Sequence, residues 1–327
     1  MKLFTASINT AIVIFHDILF YVEVLRNKKG KIMNDHIIRG MAAGNEIRFV
    51  AGYTREVVET ARNIHQTSAL STAALGRLLT GGALMGAMCK NETDVLTLKI
   101  SGNGIIKSIT VTADALSNVK GIIYNKAAEL DYKEDGHLNV GAAVGNGTLT
   151  VIRDEGLGEP YIGTTKLITG EIGEDLTYYF AESEQIPTSV GLGVLVDRDL
   201  SVKHAGGFII QLLPYASEET VTNLENSLAN VNSITDYYNK GMTPEEMMNA
   251  IIGKDVFGEN VSIEEPIPTK YHCNCSRERV TKALISIGKG ELASMIKDGE
   301  PVNLHCDFCN KDYTFSIPEI QYIYDHV

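Results

Sequence analysis

The chain has 327 residues, 44% of them hydrophobic and 21% charged, with a formal net charge of −12. That composition is typical of soluble globular proteins, and the length leaves room for two domains. The acidic balance lacks the basic face that a nucleic-acid partner requires, and five cysteines, four of them clustered, suit a reducing compartment better than a secreted disulfide scaffold. At the N-terminus, Leu3–Leu25 is apolar but interrupted by Asp17 and Glu23, and its longest uncharged run, Leu3–His16, has 14 residues. A membrane-spanning helix needs about 20, and no small-residue cleavage site follows. Residues 1–32 therefore read as an extension ahead of a start at Met33, with no membrane partner.

From Met33 the pattern is that of a mixed α+β domain. Glu46–Tyr53 alternates like a strand, and Thr54–Lys90 reads as helix in two pieces broken near Gln66. The second piece is rich in alanine and glycine, which lets other backbones approach and predicts burial on several sides. Its lone Cys89, flanked by apolar residues, reads as a small core side chain. Short strands are expected at Val95–Ser101, Ile105–Thr112, Lys120–Tyr124, Thr148–Arg153 and Leu176–Ala181, with Gly102-Asn103-Gly104 as a hairpin turn between the first two. A last hairpin pairs Gly193–Val196 with Ser201–Leu213. The glycine-rich run Gly141–Gly147 lacks the lysine of a phosphate loop and precedes a strand, so it reads as a turn. His36, His65, His137 and His204 are scattered and read as structural or solvated groups.

Pro214 opens a different regime. Ser217–Val231 and Thr243–Ile252 read as helices, the second with Thr243 as N-cap, Pro244 at the first helical position and Glu246 closing a capping box. Val221, Leu224, Leu228, Ile234, Met247, Met248, Ile251 and Ile252 give these helices one apolar side. From Ser217 to Glu265 ten acidic residues stand against Lys240 and Lys254. Short helices carrying one sign of charge depend on tertiary packing to persist, so this stretch reads as a docked but marginal linker.

The tail carries the strongest motif. Cys273-Asn274-Cys275 is followed, thirty residues later, by Cys306-Asp307-Phe308-Cys309. Two close-spaced pairs joined by a folded insert are the pattern of a four-thiolate zinc site, each pair presenting two sulfurs to a tetrahedron with Zn–S distances of about 2.3 Å. Cys273, Cys275, Cys306 and Cys309 are thus the predicted metal ligands, holding one zinc ion. His272 and His305 precede ligand cysteines, but four sulfurs already fill a tetrahedron. Around them, Ser276 caps a helix bearing Val280, Leu284 and Ile287, a short helix covers Glu291–Lys297, and a strand at Tyr313–Phe315 leads into a capping box at Ser316–Glu319. The apolar inventory is thin for a free-standing core, and a metal staple is the usual remedy. The fold expected is α+β: a mixed N-terminal β-sheet domain with packed helices over 33–213, an acidic helical linker over 214–268, and a small C-terminal four-cysteine zinc domain over 269–327.

Such a metal contributes about 10–16 kcal/mol to folding, comparable to the whole stability of a typical domain at about 5–15 kcal/mol. The ligating thiolates are also the atoms an oxidant attacks, and each has a neighbour two or three residues away that could resolve it into a disulfide. Lys270, Arg277 and Lys311 lie near the sulfurs in sequence and would favour thiolate. An inert staple and a redox switch both fit these residues; the abutting acidic linker favours the switch. A static zinc module that binds protein or nucleic acid predicts a basic, aromatic surround, yet Thr269–Val327 has seven basic and eight acidic residues. A thiol oxidoreductase built on Cys306 and Cys309 would need one pair, at a helix start after a strand.

Taken together, Asp35–Arg39, Ser71–Arg77, Gly206–Leu212, Thr243–Glu246 and the paired cysteines, followed by an aromatic strand, resemble the 33 kDa chaperonin family, the redox-regulated heat-shock chaperones of bacteria. The resemblance covers nearly everything from Met33 on. It implies a cytoplasmic, ATP-independent holdase rather than an enzyme, with the four cysteines binding zinc in the reduced state and the linker folded over the N-terminal domain. It further implies that oxidant forms Cys273–Cys275 and Cys306–Cys309 disulfides, releases zinc, unfolds the tail and destabilises the linker. The active form is then a homodimer that binds unfolding client proteins.

Overall fold

The computed structural model describes residues 33–156 and 158–326, so the readings made for residues 1–32 fall outside it. His36–Ala42 (β1) and Ile47–Tyr53 (β2) form a hairpin in unbroken register from His36↔Tyr53 to Ala42↔Ile47. The turn between them holds Ala43, Gly44 and Asn45 at positive φ. Two helices follow, Arg55–His65 (α1) and Ala69–Gly86 (α2), separated as expected at Gln66, whose φ of 54° ends α1 in a left-handed cap. Ser68 starts α2 by accepting a hydrogen bond from Ser71 N.

Sixteen of the eighteen residues of α2 are buried. Its small side chains explain this: a Cβ at Gly82 would come within 2.8 Å of Val111 Cγ1, and one at Gly76 within 2.6 Å of Val58 Cγ1. Glycine at these points lets the helix lie against its neighbours without a gap. Val95–Gly102 (β3), Ser108–Asp114 (β4) and Val119–Ile123 (β5) follow. After the short helix Val140–Val144 (α3) come Gly147–Asp154 (β6) and Tyr161–Lys166 (β7). They form an antiparallel sheet in the order β5-β4-β3-β6-β7. β4 begins three residues later than expected because Gly104 N and Ile106 N donate to Val144 O and Ala143 O, docking the connection onto α3. The glycine-rich run 141–147 is thus part of a helix and a turn leading into β6.

The strand expected at Leu176–Ala181 is instead helical: Gly173–Tyr179 (α4) continues as a π-turn at Phe180–Glu184. Asp175 decides it, because its buried carboxylate accepts from Ile168 N, Thr169 N, Gly170 N and Ile172 N and fixes the chain entering the helix. Leu176, Tyr179 and Phe180 then share the buried side at helical spacing. β1, which the alternation analysis passed over, and β7 are additional strands.

Thr188–Val196 (β8) and Val202–Leu212 (β9) extend the other sheet in the order β1-β2-β9-β8. The acidic stretch lies across it as Glu218–Leu228 (α5), Ile234–Asn239 (α6), Pro244–Ile252 (α7) and the single turn Lys254–Phe257 (α8). Leu224, Ile234, Tyr238, Met247, Met248, Ile251 and Ile252 are all buried. Thr243 and Glu246 form the capping box expected for α7. The stretch ends as two short strands, Ser262–Ile263 (β10) and Ile267–Pro268 (β11), both antiparallel to β1 through Gly40↔Ile263 and Ile37↔Ile267. An element with no hydrophobic run long enough to read as strand therefore closes the edge of the sheet.

Arg277–Ser286 (α9), Lys289–Asp298 (α10), Val302–Cys306 (β12), Lys311–Phe315 (β13) and Ile317–Asp325 (α11) form the tail. Among the described residues its own apolar cluster has five buried members, Leu284, Leu292, Phe315, Ile320 and Ile323.

Candidate metal centre

The two cysteine pairs come from different kinds of local structure. Cys273 and Cys275 lie on an extended segment just before α9, whose N-cap Ser276 accepts from Arg279 N. Cys306 ends β12 and Cys309 sits in the turn to β13, which is closed by Cys309 N and Asn310 N donating to Cys306 O at 3.2 and 2.8 Å. Asn310 has a φ of 55°, the left-handed value such a tight turn requires.

All four sulfurs lie within 4.8 Å of one another and are half-buried. Cys273 Sγ is 3.7 Å from Cys306 Sγ, and Cys275 Sγ is 3.2 Å from Cys309 Sγ. Sulfurs at about 2.3 Å from a common tetrahedral centre stand about 3.8 Å apart, so the donor set and its spacing fit zinc. Among the described residues this is the one cluster of three or more such ligands. His305 turns away to Asp312, with Nδ1–Oδ1 at 2.7 Å, and His272 is exposed.

The sulfurs differ in acidity. Burial pushes the Cys275 thiol up, but hydrogen bonds from the Tyr313 hydroxyl, at 3.2 Å, and from the other sulfurs outweigh it and bring it down to about 7. Burial and the neighbouring Cys275 sulfur push Cys309 well above the ordinary thiol range, and burial also raises Cys273. The sequence pointed to Lys270, Arg277 and Lys311 as the groups favouring thiolate. Arg277 is instead committed to Glu319 at 2.6 Å and stacks over Phe315, so Tyr313 supplies the donor. Cys306 and Cys309 lie on a hairpin turn rather than a helix start, unlike the reactive pair of a thiol oxidoreductase.

The remaining sequence-singled groups lie elsewhere. Cys89 is half-buried, its thiol pushed up to about 11 by burial. His65 is buried, with Nε2 2.9 Å from Gly121 O, and His36 pairs with Glu245 at 3.1 Å. His204 Nδ1 is 3.1 Å from Tyr53 Oη, and His137 is exposed beside Asp135.

Sequence reasoning missed the residues that tie the cysteine turns to β5. Lys120 Nζ donates to Asn274 Oδ1 at 2.7 Å and sits 5.1 Å from the centre of the Phe308 ring. Asn274 lies within the first cysteine pair and Phe308 within the second. Tyr271 Oη lies 2.5 Å from Phe308 O and 3.0 Å from Gly121 O, and Asn310 Nδ2 donates to Ile64 O. Only the position of Tyr271, two residues before Cys273, hinted at this role. Lys120, Cys273, Cys275, Cys306, Phe308 and Tyr313 line part of a groove of about 350 Å³.

A family model described as Hsp33 protein matches residues 35–316. The chain belongs to the Hsp33 family. Two Hsp33 relatives are named 33 kDa chaperonin. The protein of Lachnoclostridium phytofermentans is 54% identical over 289 residues, 88% of this chain and 98% of that one. The Agathobacter rectalis protein is 50% identical, covering 88% and 99%. The crystal structure of the 33 kDa chaperonin of Thermotoga maritima superposes with a TM-score of 0.81 at 38% identity, covering 90% of this Hsp33 chain and 99% of that chain. None of the described helices is long and apolar enough to cross a membrane.

Proposed function

We propose that this Hsp33 protein is a redox-regulated holdase chaperone of the cytoplasm that works without ATP and without catalysing a reaction. Cys273, Cys275, Cys306 and Cys309 hold one zinc ion in the reduced state. Zinc there supplies a four-way cross-link between the segment before α9 and the β12–β13 turn. The observation that carries the reading is that four sulfurs gather within 4.8 Å in a tail with five buried apolar residues of its own among the described residues; as ligands they would also be the atoms an oxidant attacks.

Oxidation proceeds by thiolate attack on the O–O bond of a peroxide. That step forms a sulfenic acid and releases water once the leaving hydroxide takes a proton. A second thiolate then attacks the sulfenic sulfur, forms the S–S bond and displaces hydroxide, which is protonated to a second water. Each disulfide consumes one peroxide, which takes up the two electrons that the thiolate pair gives up. Pairing Cys273 with Cys275 and Cys306 with Cys309, as the family resemblance implies, removes all four ligands. The parts respond in sequence: the tail (269–327) loses its staple, the acidic linker (214–268) loses a neighbour, and the sheet of the core (33–213) is uncovered. Leu224, Ile234, Met247, Met248 and Ile252 and the sheet beneath them then offer apolar surface to unfolded clients, while the linker's charge keeps the complex dispersed. A homodimer is the active form.

The test follows aggregation of a thermally unfolding client by light scattering, with reduced and with peroxide-treated protein, alongside a zinc-release dye and sedimentation. Suppression only after treatment, concurrent with metal release and dimerisation, is expected. Retention of metal and compactness after peroxide, or loss of both without client capture, overturns the reading.

A further inference from the structure

The edge of β5 is where the tail meets the core. Val119 and Gly121 lie opposite Ala113 and Val111 in the β4–β5 ladder, and their own peptide groups point outward to the tail. Val119 N donates to Lys270 O at 3.0 Å, and His272 N donates to Val119 O at 2.8 Å. Together these make a one-residue parallel bridge, Val119↔Tyr271. At Gly121 no backbone takes over. Gly121 N donates to Tyr271 Oη at 3.3 Å, and Gly121 O lies 3.0 Å from that hydroxyl and 2.9 Å from His65 Nε2. A phenol thus stands where a neighbouring strand would present its next peptide group.

This arrangement is strand addition cut short. An extended segment occupies the edge, its backbone meets the first outward residue, and its aromatic side chain meets the next. Among the described strands only β4 pairs with β5. If the tail detaches, Val119 presents a bare N–H and C=O and Gly121 a bare N–H on the edge of a five-stranded sheet, while Gly121 O keeps His65 Nε2; the bare groups are a template for another chain.

We propose that β5 is a strand-addition site for extended segments of unfolded polypeptide, covered in the docked state by Lys270–His272. Backbone pairing suits partners that share no sequence, and the segment seated there shows that an extended chain bearing an aromatic fits. The inference rests on the tail release proposed above and adds to it a surface distinct from the linker-covered sheet.

Amide exchange followed by NMR on the full chain tests it, with reduced, carboxymethylated α-lactalbumin as a permanently unfolded probe. Val119 and Gly121 amides should exchange slowly in the reduced protein, rapidly after peroxide, and at least ~tenfold more slowly again when saturated with probe. Bound probe with both amides still exchanging rapidly overturns this inference and leaves the switch standing. Amides that never become fast, or a treated protein that binds no probe, overturn the switch and this inference with it. A second measurement uses Val119→Pro, which removes the outward N–H without removing a β4 hydrogen bond. Probe affinity of the peroxide-treated variant should fall about fivefold, the effect of roughly one hydrogen bond; unchanged affinity overturns the assignment.

Discussion

The hydroxyl of Tyr238 donates to the carbonyl of Gly52 at 2.8 Å, so a helix of the acidic linker is hydrogen-bonded into the middle of the core sheet. Tyr238 is 1% exposed, its ring meets Tyr53 edge-on at 5.0 Å, and burial raises its hydroxyl pKa well above the ordinary value. Tyr238→Phe keeps the ring but removes this hydrogen bond, leaving Gly52 O with its ladder partner on β9, a cost of about 0.5–1.5 kcal/mol. That loss falls on the docked state of the linker and should shift reduced protein toward the undocked form. The expected result is measurable suppression of client aggregation without oxidant and faster amide exchange across 234–252. Wild-type behaviour in both assays would mean that linker docking does not hold the reduced protein inactive.

The parts of this fold that were legible in sequence are those with a local cause. The capping boxes at Thr243/Glu246 and Ser316/Glu319 formed as spacing dictates, because their partners are three residues apart. The small residues of α2 announced a helix buried on several sides, and cysteine spacing announced the four-sulfur cluster. What escaped depends on distant chain. Leu176–Ala181 has a strand's composition, but four amides converging on Asp175 make it helical. β10 and β11 have two residues each and are strands only because β1 offers them an edge. Lys120 and Asn274 are 154 positions apart, and no periodicity connects them.

Removing one sulfur should disable the centre rather than weaken it. Cys306→Ser replaces a thiolate with a poorly ligating hydroxyl opposite Cys273, leaving three sulfurs. Zinc affinity of the purified variant, measured by competition with a chromophoric chelator, should fall by at least about tenfold, and peroxide should no longer produce a stepwise change in client binding. Full zinc retention with a normal oxidant response would show that Cys306 is not a ligand.

The disulfide connectivity distinguishes two chemistries that the sulfur positions both permit. Cross-turn contacts of 3.7 Å for Cys273–Cys306 and 3.2 Å for Cys275–Cys309 are present, whereas the family resemblance implies bonds within each pair. Loss of the metal frees the two turns to separate, after which each sulfur's nearest partner along the chain is the one two or three residues away. Peptide mapping by mass spectrometry after peroxide should therefore find Cys273–Cys275 and Cys306–Cys309. Dominant cross-turn bonds would mean that oxidation staples the tail instead of releasing it.

Asp35 gives the fold a pH dependence of predictable sign. Its Oδ2 accepts from Val57 N at 2.7 Å, yet burial dominates and raises its pKa from 3.8 to about 6. A carboxyl raised in the folded state favours folding while protonated. Its contribution is fully present below pH 3.8 and is lost as pH rises through 6, a loss of about 3 kcal/mol at most at 1.36 kcal/mol per pKa unit. Glu245 has the opposite sign. Its hydrogen bond with His36 lowers it to about 2, so its contribution holds above pH 4.5 and is lost as pH falls toward 2. Between pH 4.5 and 7 His65 and His204, both lowered by burial, titrate with the opposite sign, so the Asp35 contribution is read as the difference in urea midpoint between wild type and Asp35→Asn. That difference should move in the variant's favour as pH rises across the window; a difference independent of pH would show that the carboxyl titrates normally.

Chelation in the presence of reductant separates the metal's structural work from the disulfides. The core around α2 is extensive and lies between two five-membered strand paths, while the tail has Leu284, Leu292, Phe315, Ile320 and Ile323. Five such side chains contribute about 7–15 kcal/mol and a zinc site about 10–16 kcal/mol, so the metal supplies about half of what holds the tail against its conformational entropy. A cell-permeant chelator applied to reduced protein should therefore abolish amide protection in α9, α10, α11 and the β12–β13 hairpin while leaving β2, β3, β6 and β9 protected. Restored zinc should restore the tail, since no sulfur has been oxidised. A chelated, reduced protein whose tail amides stay protected would show that packing alone suffices, and the coupling between sulfur chemistry and tail folding would fail with it.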